Sequence, residues 1–211
     1  MKGRIFILVL LALLLIGFGL QYFPRLRAAD ENYTHIVESK PVALNGLEFV
    51  IATEDVWYGG AQIQLLIHNT TSRPMIFPAF DTFSLFIEDA SGKRLTGFGE
   101  RTLTFFTKPV IVDAGRTYSL SRYGHLRSNG GPPQPFPKFE ADAWIFLFED
   151  GTGSEGFYGP IPPGKYAVGF HVERNGNQPL RDSFGKELHP TIPQWSGDVT
   201  TKTVPFEVLG P

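Results

Sequence analysis

Cysteine is absent from all 211 residues. Its absence excludes disulfides, thiolate nucleophiles, cysteine-based zinc and iron–sulfur sites, blue copper and lipoprotein-type acylation. Charge is also scarce, at 19% of residues, while 42% are hydrophobic and 14% aromatic, a balance that belongs to folding sequences rather than disordered ones. The histidines are His35, His68, His125, His171 and His189. None has the short spacing that sets two metal ligands on one element, so no metal and no cofactor is expected. The formal net charge of −2 hides an asymmetry: Lys2, Arg4, Arg25 and Arg27 flank the N-terminal apolar run, and from Asp30 onward 21 acids face 15 bases, a net of −6. Phosphate backbones repel such a domain, so no nucleic-acid partner is expected.

Long apolar runs are missing except at the start, where IFILVLLALLLIGFGL gives sixteen apolar residues from Ile5 to Leu20. Extended to Phe23 as a helix, the segment measures roughly 28 Å at about 1.5 Å per residue, close to one hydrocarbon core. Residues 1–24 are therefore expected to form a signal-anchor helix in the lipid bilayer. Ile5, Leu8, Leu11, Leu15 and Phe18 lie in its apolar body, Tyr22 and Phe23 at the aromatic belt, and Pro24 ends it. A cleaved signal peptide is the rival reading, although Gly17-Phe18-Gly19 makes a poor cleavage site. A buried core helix is the third. Positive charge on both flanks gives little orientation bias. The expected arrangement is a single-pass protein of the bacterial inner (cytoplasmic) membrane, its C-terminal domain in the periplasm or outside. Residues 25–45, polar and without periodicity, read as a stalk, and 46–211 as the exported domain.

Within that domain the period is two. Leu47, Phe49 and Ile51 alternate, and Ile63, Leu65 and Ile67 alternate with Gln62, Gln64 and His68. So do Phe83, Leu85 and Ile87; Tyr118 and Leu120; Tyr166, Val168, Phe170 and Val172; and Val204, Phe206 and Val208. Each set predicts one buried strand face. Turn signals lie between them at Gly59-Gly60, Ser91-Gly92, Ala114-Gly115, Asp150-Gly151, Pro163-Gly164 and Asn175-Gly176. Pro78 and Pro205 mark edges or bulges, because proline lacks the ladder donor. Two stretches read as long loops: Ser128 to Lys138, and Gly176 to Gly197 carrying Trp195. The predicted fold is all-β, seven to nine strands in a two-sheet antiparallel sandwich preceded by one transmembrane helix.

Ile67 to Leu95, IHNTTSRPMIFPAFDTFSLFIEDASGKRL, runs from a strand ending in Asn-x-Thr through a proline to an alternating Phe strand and Asp-x-x-Gly. Together with Ala114-Gly115-Arg116-Thr117-Tyr118 and Pro162-Pro163-Gly164-Lys165-Tyr166-Ala167-Val168, it resembles the immunoglobulin-like sandwich of the bacterial intracellular proteinase inhibitor family. The shared residues are turn and core residues, so the resemblance implies an immunoglobulin-like fold. It places no reactive loop.

No catalytic motif is found. Gly153-Ser154-Glu155-Gly156 is not a nucleophile elbow, and Asp150 to Glu155 lacks the alternate acidic ligands of a calcium loop. Asn32-Tyr33-Thr34 and Asn69-Thr70-Thr71 fit the N-glycosylation pattern, but a turn explains Asn69 better. Pro132-Pro133-Gln134-Pro135 reads as a stiff loop. One strand breaks the one-face rule. Trp144, Phe146 and Phe148 alternate with Ile145 and Leu147, and Phe105 and Phe106 are adjacent. A strand apolar on both faces needs cover on both. Either the protein's own loops supply that cover, or Trp144, Ile145, Leu147, Phe105 and Phe106 form a docking surface. The expected function is a noncatalytic interaction module, an accessory or assembly subunit alongside integral membrane proteins of a photosynthetic or respiratory complex. An exported inhibitor-like or envelope-stress binding domain is the alternative.

Overall fold

In the computed structural model, the described residues are 35–79, 82–101, 108–128, 144–149, 154–182 and 184–209. The anchor residues Ile5, Leu8, Leu11, Leu15, Phe18, Tyr22 and Phe23 lie outside them. Among the described residues no helix is long and apolar enough to cross a membrane.

The described residues are all-β and built of antiparallel sheets. In chain order the strands are β1 (Ile36–Glu38), β2 (Val42–Leu44), β3 (Leu47–Glu54), β4 (Val56–Trp57), β5 (Gly60–Asn69), β6 (Met75–Phe77), β7 (Phe83–Asp89), β8 (Gly97–Arg101) and β9 (Val110–Val112). They continue as β10 (Thr117–Ser128), β11 (Trp144–Glu149), β12 (Ser154–Tyr158), β13 (Gly164–Arg174), β14 (Leu180–Arg181), β15 (Glu187–Leu188), β16 (Gly197–Thr200) and β17 (Val204–Val208). The larger sheet runs β1-β3-β5-β10-β11-β12-β8, with β2 also on β3. The smaller centres on β13, which pairs β7 along one edge and β17 then β16 along the other. The short pair β4–β17 is parallel.

Every periodic row read from the sequence sits on one of these strands, and burial follows the alternation. Leu47, Phe49, Ile51, Ile63, Leu65 and Ile67 are fully buried, as are Val168 and Val172, with Phe170 only 1% exposed. Both sheets feed one core. Trp57 stacks on Phe206 with ring centroids 3.6 Å apart and lies 4.7 Å from Phe146 of the other sheet, and Phe148 meets Phe170 at 6.1 Å. The Tyr158 hydroxyl of β12 donates to the Leu85 carbonyl of β7 at 2.7 Å, linking the sheets where β7 has an open edge. Tyr118 departs from its row. It is 39% exposed, standing next to the first residue of β10, whereas Leu120 is buried.

The stalk reading does not hold to residue 45. β1 and β2 pair with β3, and His35 accepts from the Asp55 N–H and donates its own N–H to the Asp55 carboxylate, both at 2.9 Å, so the folded unit starts by His35. Val37, Val42 and Leu44 pack against the core, which gives these short segments their place in the sheet. The long connection before β16 also does more than loop. It carries the β14–β15 hairpin and then returns Trp195 to the core, where the indole packs on Phe49 and Phe77 and its N–H donates to the Leu44 carbonyl at 3.0 Å.

Candidate functional site

The strand expected to dock a partner is β11. Phe146 and Phe148 point into the main core. Ile145 and Leu147, on the opposite face, are also buried, 5% and 9% exposed, and cluster with Phe157 of β12. β11 has β10 on one side and β12 on the other, with Leu147 directly across from Phe157, so apolar neighbours are supplied within the chain. Ile145 and Leu147 are therefore not an open docking surface. Trp144 begins the strand opposite Ser128. Phe105 and Phe106 lie outside the described residues, as do residues 150–153 of the calcium-like stretch.

Asn69 is buried and fully engaged. Its amide donates to the carbonyls of Arg73 and Val112 at 2.7 and 2.8 Å, and its oxygen accepts from the Thr71 N–H and hydroxyl at 2.9 and 2.7 Å. A side chain bonded on all sides is a structural clamp rather than a glycan acceptor.

His171 is half-buried in a cleft of about 260 Å³ lined by Thr82, Phe83, Ser84, Glu173, Asn175 and Gln178. Its Nε2 lies 3.5 Å from Glu173, while its Nδ1 lies 3.6 Å from Asp198 and 3.2 Å from the Thr200 hydroxyl. The two carboxylates approach opposite ring nitrogens, so they do not converge on one point. Among the described residues no three His, Asp or Glu side chains are placed to hold a metal ion.

Two turns share one construction. In Asp89-Ala90-Ser91-Gly92-Lys93 the Asp89 carboxylate accepts from the Ser91 N–H, the Ser91 hydroxyl and the Lys93 N–H. Gly92 takes φ +81° and donates to the Asp89 carbonyl. The Ser91 hydroxyl, and after it the Lys93 N–H, holds the Asp89 carboxyl below its usual pKa. The tip of β14–β15 repeats the design. Asp182 accepts from the N–H groups of Phe184 and Lys186, both at 2.9 Å, and Gly185 has φ +81° and donates to the Asp182 carbonyl. Glycine suits both places because L side chains rarely adopt that conformation. Phe184 therefore stands where Ser91 stands in the sister turn. It is 92% exposed.

The outer face of β5 and β10 is a third feature. Gln62, Gln64, Leu66 and His68 stand opposite Tyr123, Ser121, Ser119 and Thr117, with Gly60 opposite His125. From Gly60 to His68 and from Thr117 to His125 these positions hold no Asp, Glu, Lys or Arg, although soluble surfaces carry roughly 25–35% charged residues; Arg127 of β10 and Glu48 of β3, across from His68, flank them. Gln62 donates to the Ser121 hydroxyl at 2.6 Å, Ser119 to Gln64 at 3.3 Å, and His68 bonds Thr117 at 3.0 Å. Tyr123 is 51% exposed and meets His125 edge-on, ring centroids 4.8 Å apart.

The sequence reading missed both exposed features. For Phe184 a signal was available, the repeat of Asp-x-x-Gly-Lys with a phenylalanine in place of serine. For the strip it was the lack of charge along Gln62–His68 and Thr117–Tyr123 outside Arg122, whose strand parity is inward. Neither a scan against protein-family models nor a search of curated proteins finds a match to this chain.

Proposed function

We propose that this chain is a noncatalytic, membrane-anchored interaction module: an immunoglobulin-like two-sheet sandwich held at the bacterial inner membrane by its N-terminal helix. It would serve as an accessory or assembly subunit that docks on integral membrane proteins, a photosynthetic or respiratory complex being a suitable host. The observation that carries this reading is Phe184. A large apolar side chain left 92% in water, on a turn fixed by two bonds to Asp182, contributes nothing to its own fold. The sister turn is built as well with serine at that place. Exposed aromatic anchors on rigid supports are what dominate protein interfaces.

The test is co-purification from detergent-solubilised membranes with Phe184→Ser. Integral membrane subunits are expected with the native chain and to fall at least about tenfold with the variant, at unchanged melting temperature. Equal recovery of those subunits with both chains would remove Phe184 from the interface. A soluble protease as the sole companion would favour the inhibitor-like alternative instead.

A further inference from the structure

The strip over β5 and β10 carries an inference independent of Phe184. Its amides, Gln62 and Gln64, and its hydroxyls, Ser119 and Ser121, are neutral groups that each donate and accept hydrogen bonds. Their mutual bonds hold them in place on two interior strands. At its end Tyr123 lies across Gly60, where a Cβ would come within 2.7 Å of the Tyr123 hydroxyl oxygen and 2.9 Å of a ring carbon. The phenol end of the ring thus lies close to Gly60, and the side chain remains half open to solvent.

Other ligand classes need features that the strip lacks. Single-stranded nucleic acid requires stacking rings within a cationic groove, and anionic lipid requires cations as well. On this face of β5 and β10 Arg127, beyond His125, is one cation and too few for a cationic groove, and the chain from Asp30 onward carries a net of −6. An extended peptide adds to a free sheet edge. Here β5 lies between β3 and β10, and β10 between β5 and β11, so neither offers one. A polyhydroxylated ring meets every feature present. Its hydroxyls match the amides and hydroxyls without any charge, and its C–H face lies flat on an aromatic ring. We propose that this strip binds a neutral oligosaccharide, with Tyr123 stacked on one sugar ring and Gln62, Gln64, Ser119 and Ser121 bonding to it and its neighbour.

The test is calorimetric titration of the full-length chain, in a detergent without a sugar headgroup, with N-acetylchitohexaose and with cellohexaose. One of them is expected to bind with a dissociation constant of about 1 mM or tighter. Tyr123→Ala should weaken that binding at least about tenfold, and Gln64→Ala less, with melting unchanged. Should Tyr123→Ala lower the melting temperature, Gln62→Ala reads the same contact from the adjacent strand. No binding of either sugar overturns the proposal, as does binding indifferent to all three substitutions. Co-purification with membrane subunits is measured separately, so loss of this site leaves the docking reading standing.

Discussion

Asn69 and Tyr166 show how single residues set this domain's stability. Asn69 is fully buried and joins the end of β5 to the loop before β6 and to β9 through the Arg73 and Val112 carbonyls. Asn69→Ala strips the buried Val112 carbonyl of the amide and the Thr71 N–H of its acceptor, while the Arg73 carbonyl keeps the Thr71 hydroxyl, and a buried polar group left alone costs about 1–3 kcal/mol. A loss of about 2 kcal/mol or more in urea unfolding is expected. A loss under about 0.5 kcal/mol would mean that water or a shifted backbone takes over those bonds.

Tyr166 is buried, donates to the Pro162 carbonyl at 2.7 Å and lies 5.7 Å from Phe206. Burial, and after it the Asp89 charge, pushes its hydroxyl above the usual phenol pKa. The fold thus favours neutral tyrosine. Its contribution is fully present below the unfolded value of about 10 and is lost as pH rises through the folded one. Unfolding free energy should therefore fall with pH above about 10, and less steeply in Tyr166→Phe. Identical slopes in the two proteins would refute the assignment.

At the scale of elements, β11 decides between two readings that the sequence left open. Its double apolar pattern demanded cover on both faces, and pattern alone cannot say whether that cover comes from the chain or from a partner. In the fold, Phe157 stands across from Leu147, and the strand is buried on both sides. Ile145→Asp should accordingly unfold the domain, costing about 3 kcal/mol or more through an unpaired buried charge. Unchanged thermal melting would return this face to the surface.

Longer strands were legible because five or more residues of alternation fix a face, as in Tyr166 to Val172 and Leu47 to Ile51. β1, β2, β14 and β15 were not. Two or three residues carry no period, and their pairing is set by distant contacts such as Val37 and Leu44 on the core. Trp195 was visible only as a tryptophan in a loop, since a single anchoring residue has no pattern. The candidate surfaces were still less legible. Exposure is a property of the packed whole, and neither the freedom of Phe184 nor the approach of Tyr123 to Gly60 is written in local sequence.

At the scale of the whole molecule, two antiparallel sheets share a core in which aromatic rings from both sides meet, Trp57 with Phe146 and Phe148 with Phe170. Such a core leaves the surface free to carry recognition. We propose that this surface has two roles at different places, a hairpin tip for protein and a sheet face for sugar, on a domain tethered through residues 1–24. The tether and the docking together form its central claim. The most direct measurement is affinity purification of the C-terminally tagged chain from carbonate-washed membranes in mild detergent, with its companions identified by mass spectrometry. The account predicts that the chain survives the carbonate wash and brings integral membrane subunits with it in stable proportion. Release of the chain by carbonate, or recovery from the membrane with no integral companion, would contradict it.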